Sequence, residues 1–202
     1  MVFILTGPVH SGKTTYLKEA VGRWIEEGRR IGGFLSEAVY EENVPARYDL
    51  IEIQNQNRSP FITRSGRRDW PKSGRYFFIP QALEVARSLI AGAPKLDLCV
   101  VDEVGPLELR GEGLWPALEK VIFEPGLKFL LVVRRGILRD FIRMFEEKRR
   151  ALGRGQTYTF DIILLKRHFG LGDVDQKGNV KCVGLTPIID RLTQEIFGRR
   201  RG

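Results

Sequence analysis

Hydrophobic and polar positions change period several times along the chain, and each change marks an element. Val2-Phe3-Ile4-Leu5-Thr6 is a short unbroken apolar run, the pattern of a strand buried on both faces. Leu17, Ala20, Val21, Trp24 and Ile25 then recur at helical spacing, and Gly28 supplies a stop. Gly33 to Tyr40 reads as a strand, and Glu41 to Ala46, with Asn43 and Pro45, as a turn. Tyr48 to Ile53 alternates apolar with acidic positions, the period of a half-exposed strand. These pieces predict a β-hairpin over 33–55.

Gln54 to Arg75 is polar, with Arg58, Arg64, Arg67, Arg68, Lys72 and Arg75 set among Phe61 and Trp70. It predicts a basic loop over 56–75, either a flap whose arginines contact phosphate or a solvated loop. Tyr76-Phe77-Phe78-Ile79 suits a short strand. Pro80 opens a helix whose apolar face is Leu83, Ala86, Leu89 and Ile90, ended by Gly92 and Pro94. Strands follow at Leu96 to Val101, Phe129 to Val133 and Phe160 to Leu165. Helices are predicted around Leu114, Trp115, Leu118, Val121 and Ile122, around Ile137, Leu138, Phe141, Ile142 and Phe145, and around Ile189, Leu192 and Ile196. Alternating strands and helices imply a mainly parallel sheet covered on both faces. Arg199-Arg200-Arg201 reads as a solvated tail.

Between the first strand and the first helix stands Gly7-Pro8-Val9-His10-Ser11-Gly12-Lys13-Thr14, which fits the P-loop pattern G-x-x-x-x-G-K-[ST]. Strand, glycine loop and helix come in the order that the motif requires. Gly7 and Gly12 let the backbone approach closely, so that successive N–H groups surround phosphate oxygens. The positive end of the following helix adds to that field. The expected nucleotide-binding residues are Gly7, Pro8, Val9, His10, Ser11, Gly12, Lys13, Thr14 and Thr15. Lys13 reaches for the β- and γ-phosphates, and the Thr14 hydroxyl for Mg²⁺. His10 fills a variable position of the loop, and His168 reads as a solvated histidine in a basic segment.

Such a loop needs an acid for its metal at the carboxyl end of a hydrophobic strand, and Val100-Val101-Asp102 meets that condition. Thr14 and Asp102 are the expected metal ligands. Ligands of these sheets bind beyond the carboxyl ends of the strands, so Gly7 and Asp102 should emerge at one edge. Glu103 follows at once, placed either to orient a water attacking the γ-phosphate or to serve as a helix cap or surface acid. Glu108 is either structural or close to the metal. Arg134 and Arg135 end the next strand at the same edge; one of them stabilises γ-phosphate charge, or the two form a surface pair. Lys13, Glu103, Arg134 and Arg135 are thus the candidate catalytic residues.

Composition adds bounds. The 202 residues are 43% hydrophobic and 29% charged, ordinary for a globular chain, and fit one domain with a sizeable core. The first apolar run is too short for a signal peptide, and no stretch is long enough to span a bilayer. Two cysteines, Cys99 and Cys182, make no disulfide framework, so a reducing cytoplasm is expected. A net charge of +8 suits polyanionic ligands such as nucleotides and permits nucleic acid, although no nucleic-acid-binding motif is present.

Several segments resemble the THEP1-type nucleoside-triphosphatases, a P-loop family. They are Thr6-Gly7 through Gly12-Lys13-Thr14-Thr15, Gly33-Phe34-Leu35-Ser36-Glu37, Gly74-Arg75-Tyr76 leading into a helix, and Leu131-Val132-Val133-Arg134-Arg135. Above all there is Asp102-Glu103-Val104-Gly105-Pro106-Leu107-Glu108-Leu109, a string more specific than the P-loop itself. The resemblance covers residues 1–165. It implies Mg²⁺-dependent hydrolysis of nucleoside triphosphates to diphosphate and phosphate with weak discrimination among bases. Lys13, Thr14, Asp102 and Glu103 stand at the family's matching positions. One departure is the turn Glu41-Glu42-Asn43-Val44-Pro45, where the family has an arginine-rich run and this chain keeps only Arg47.

The expected fold is therefore a P-loop NTPase three-layer α/β/α domain over residues 1–202, with a mainly parallel sheet and an inserted β-hairpin. The expected activity is nucleoside-triphosphate hydrolysis with Mg²⁺. A small-molecule or nucleotide kinase and a nucleotide-regulated nucleic-acid-binding protein are the alternatives.

Overall fold

The computed structural model describes residues 1–8, 12–42, 44–152, 160–164 and 186–198. Val9, His10, Ser11, Asn43, Leu165, His168, Cys182 and the Arg199–Arg201 tail lie outside the described residues. One mixed sheet organises the chain. Its parallel part contains β1 (Val2–Thr6), β2 (Ile31–Glu41), β7 (Leu98–Val104), β8 (Phe129–Val133) and β9 (Phe160–Leu164) in the spatial order β2-β7-β8-β1-β9. The unbroken apolar runs are the reason: every residue of β1 and β8 is buried, because helices cover both faces.

The faces separate by alternation along the strands. Phe3, Leu5, Val100, Leu130 and Val132 pack with Leu17, Val21 and Trp24 of α1 (Lys13–Glu26) and with Ile189, Leu192 and Ile196 of α6 (Thr186–Phe197). Val2, Ile4, Val101, Leu131 and Val133 face the other way. They meet Leu83 and Ala86 of α2 (Pro80–Ala91), Leu107 of α3 (Pro106–Leu109), Leu118 of α4 (Trp115–Val121) and Phe141 and Phe145 of α5 (Leu138–Ala151). The Trp24 indole N–H donates to Thr193 Oγ1 at 2.8 Å and ties α1 to α6. No helix of the described residues is long and apolar enough to cross a membrane.

Beyond β2 the sheet turns antiparallel. β2 pairs with β3 (Val44–Glu52), β3 with β4 (Arg58–Thr63), β4 with β6 (Tyr76–Phe78), and β6 with β5 (Lys72–Ser73). The hairpin expected over 33–55 is thus the start of a longer antiparallel wing rather than a separate insertion. The basic loop expected over 56–75 is corrected by the same pairing, since β4 and β5 lie within it. Two features hide β4 in the sequence. Pro60 argues against an interior strand, and the pairing with β3 shifts register between Tyr48 and Asp49, leaving Phe61 as the extra residue. Arg58, the basic residue of β4, is paired: it donates to Asp49 Oδ2 at 2.7 Å and to Glu37 Oε2 at 2.7 Å, and Arg47 Nε of β3 donates to Asp49 Oδ1 at 2.8 Å. β2 runs on to Glu41 past its last pairing with β7, Phe34 with Val101, so the wing extends from the carboxyl side of the parallel strands.

Candidate active site

The site begins where β1 stops. Gly7 and Pro8 leave the strand, and Gly12, at φ 77°, caps α1 in a left-handed conformation that a side chain rarely adopts. The Gly12 carbonyl accepts the Tyr16 N–H at 2.9 Å and closes the first helical turn. Lys13 folds back over the loop, its Nζ donating to the carbonyl of Pro8 at 2.9 Å and more distantly to Gly7 at 3.5 Å. Thr14 is half-buried on the same turn, and Thr15 is exposed.

The acid arrives from β7, two strands away, because β8 lies between β1 and β7. Register aligns the halves: Leu5 pairs with Val132, and Val132 with Asp102. Asp102 therefore reaches the rim from which Gly7 departs, near the end of its strand. The contact is direct. The Thr14 hydroxyl donates to Asp102 Oδ2 at 2.9 Å across 88 residues of sequence. The Ser36 backbone N–H donates to the same oxygen at 3.3 Å, so β2 contributes to the site as well. Asp102 is only 2% exposed. Burial, reinforced by the charge of Glu103, pushes its carboxyl up to about 7, against the pull of Thr14, Ser36 and Lys13.

Glu103 is the extra residue where β7 and β8 shift register, since Asp102 pairs with Val132 and Val104 with Val133. A bulge of this kind re-aims a side chain next to a site. Glu103 forms an ion pair with the Arg134 guanidinium, on the residue that follows β8. Burial opposes the charge of Arg134, but the Glu103 carboxylate outweighs it and holds the guanidinium above its usual range. Arg135 opens the short turn Arg135–Ile137 and is exposed. Of the two arginines, Arg134 is thus the one engaged with Glu103.

Two residues near this pair carry no signal in the sequence. Tyr48 of β3 lies within electrostatic reach of both Glu103 and Arg134, and its ring meets Tyr76 of β6 edge-on at 5.7 Å. Ser36 acts through its backbone, which no side-chain pattern announces. Glu108 resolves as structural. It is 1% exposed, and its carboxylate accepts the N–H of Gly105 at 2.7 Å and of Leu114 at 2.9 Å. Burial pushes this carboxyl up to about 7, although those backbone donors pull it down.

The donor chemistry suits Mg²⁺. A hydroxyl and a carboxylate in contact are hard oxygen ligands, and Mg²⁺ in such sites takes one or two carboxylates plus substrate phosphates and water. A buried carboxyl pushed toward neutrality is one that a divalent cation would hold ionised. Among the described residues no group of three or more metal-binding side chains exists, so no all-protein cage competes with this arrangement.

Known proteins resemble this chain in sequence and in fold. The model of the family described as NTPase matches residues 2–162. The nucleoside-triphosphatase THEP1 of Hyperthermus butylicus is 27% identical over 140 residues, which is 69% of this chain and 74% of that protein. The cancer-related nucleoside-triphosphatase homolog of Bos taurus is 32% identical over 133 residues, 60% of this chain and 69% of that one. The crystal structure of THEP1 from the hyperthermophile Aquifex aeolicus superposes with a TM-score of 0.63 at 21% identity, covering 95% of this chain and 99% of that one. The likeness in structure establishes a shared α/β fold.

Proposed function

Because this chain belongs to the THEP1-type NTPase family, we propose that it hydrolyses nucleoside triphosphates, with Mg²⁺, to the diphosphate and phosphate. The observation that carries the reading is the Thr14–Asp102 contact, which joins the loop helix to the acid at one rim of the sheet. Gly7, Pro8, Val9, His10, Ser11, Gly12, Lys13, Thr14 and Thr15 make up the phosphate cradle, whose donors are the backbone N–H groups of the residues other than Pro8 and the Lys13 ammonium. Thr14 and Asp102 would hold the cation, which would neutralise charge on the substrate phosphates.

Glu103 orients the attacking water and accepts its proton. The water oxygen bonds to the γ-phosphorus, the bond from that phosphorus to the β–γ bridging oxygen breaks, and the diphosphate leaves. Arg134 fixes the Glu103 carboxylate and presents its remaining N–H groups to charge on the transferred phosphoryl group. Arg135, exposed beside it, adds to the positive field at that rim. The loop reads phosphates rather than bases, which supports broad use of ATP, GTP and other triphosphates.

Phosphate release from ATP and GTP with Mg²⁺, compared with Lys13→Ala, is the test. Turnover in water that the variant loses is expected. Turnover that appears only when an acceptor alcohol or nucleotide is added would make the protein a kinase instead.

A further inference from the structure

Cations on most of the described surface are neutralised locally. Lys18 and Arg58 share Glu37, Arg47 and Arg58 share Asp49, Arg30 meets Asp97, and Arg143 meets Asp140. The strip from Arg64 to Arg75 differs. It carries Arg64, Arg67, Arg68, Lys72 and Arg75 against one acid, Asp69, and all six are exposed. Among the described residues none of the six forms an ion pair. Like charges this dense repel one another, so leaving them unpaired favours a polyanion over the bare surface.

Aromatic rings are interleaved with these cations. Trp70, Tyr76 and Phe77 are each partly exposed. Lys72 Nζ sits 4.8 Å from the centre of the Phe77 ring, and the Arg75 guanidinium 5.8 Å from that of Tyr76. The strip lies on β5, β6 and the segment before them, at the opposite end of the strand order from β1 and β9. None of its cations belongs to the loop of residues 7–15.

We propose that this edge, residues 64–77, binds single-stranded nucleic acid. Phosphodiesters satisfy the guanidinium and ammonium groups, and unpaired bases stack on rings that alternate with them. A duplex hides its base faces, and an acidic protein segment offers carboxylates without planar partners, so neither uses both features. Tyr76 packs on Tyr48 beside Glu103 and Arg134, which puts the strip one ring contact from the proposed catalytic carboxylate.

Anisotropy of a labelled oligothymidylate of about 15 nucleotides, titrated with the protein at several salt concentrations and without nucleotide, tests this. Binding is expected whose log affinity falls with log salt at about −0.7 per phosphate neutralised. Tryptophan emission is expected to be quenched on binding. Trp24 and Trp115 are 0% and 1% exposed, so the change reports Trp70. Converting Arg64, Arg67, Arg68 and Arg75 together to Gln should weaken binding by at least about tenfold, and the single variant Arg68→Gln should lower the slope by about 0.7. Lys13→Ala should bind as the parent does. The proposal fails if no binding appears at low salt, or if polyphosphate or polyglutamate of matched charge binds as well without quenching Trp70. It fails also if Lys13→Ala abolishes binding while the quadruple variant keeps it.

Discussion

In the proposed mechanism the chemistry turns on a single group, Glu103. Gln at this position keeps the shape and a hydrogen bond to Arg134 but loses the charge and basicity that activate water. Glu103→Gln is expected to lower kcat by about 10²–10⁴-fold while nucleotide affinity stays within a few-fold, read by phosphate release and a binding titration. Glu108 makes a contrasting prediction about stability. Its carboxyl sits at about 7 in the fold, above the ordinary 4.5, so the folded protein binds the proton more tightly than the unfolded chain. That contribution is fully present below pH 4.5 and is lost as pH rises through about 7. Glu108→Gln presents an amide N–H₂ to one of two backbone donors and should cost about 1–3 kcal/mol at pH 5. The gap between parent and variant in urea denaturation should narrow by pH 8. The motif and the acid after a hydrophobic strand made Lys13, Thr14 and Asp102 legible in the sequence, because the spacing itself encodes the chemistry. Glu108 was not legible, since a carboxylate that caps buried N–H groups has the same letter as one that meets a metal.

Among the elements, the junction of β2 with β7 governs how the wing meets the parallel sheet. Gly33 pairs with Val100 at φ 92°, and a Cβ there would lie 2.0 Å from the Val100 carbonyl oxygen. Gly33→Ala forces a strained backbone and a clash with main chain that cannot step aside, and is expected to cost at least about 3 kcal/mol by chemical denaturation. The Ser36 N–H that meets Asp102 lies three residues beyond this glycine, so activity should fall with stability. The parallel strands were readable because burial on both faces writes unbroken apolar runs. The wing was readable only at its start. β4 has Phe61 as its single fully buried side chain, and ion pairs with Asp49 and Glu37 take the place of an apolar face. Patterning by hydrophobicity has nothing to register in such a strand.

For the molecule as a whole, ligand binding and folding are linked. A nucleotide with Mg²⁺ at 100 times its Kd adds about 2.7 kcal/mol to the folded state. In a chain of this size that raises the melting temperature by roughly 5–10 °C in thermal denaturation, an increase that Lys13→Ala should remove. The same linkage makes the placement of β8 consequential. It puts a width of two strand spacings, about 10 Å, between the strand that launches the cradle and the strand that delivers the acid. Phe129, Leu130, Leu131, Val132 and Val133 work as a gauge block: none of them is accessible to solvent, yet their bulk fixes the gap that Thr14 must bridge. Shaving or swelling that block would tilt both neighbours together, so the reaction is calibrated by five greasy side chains that no substrate ever touches.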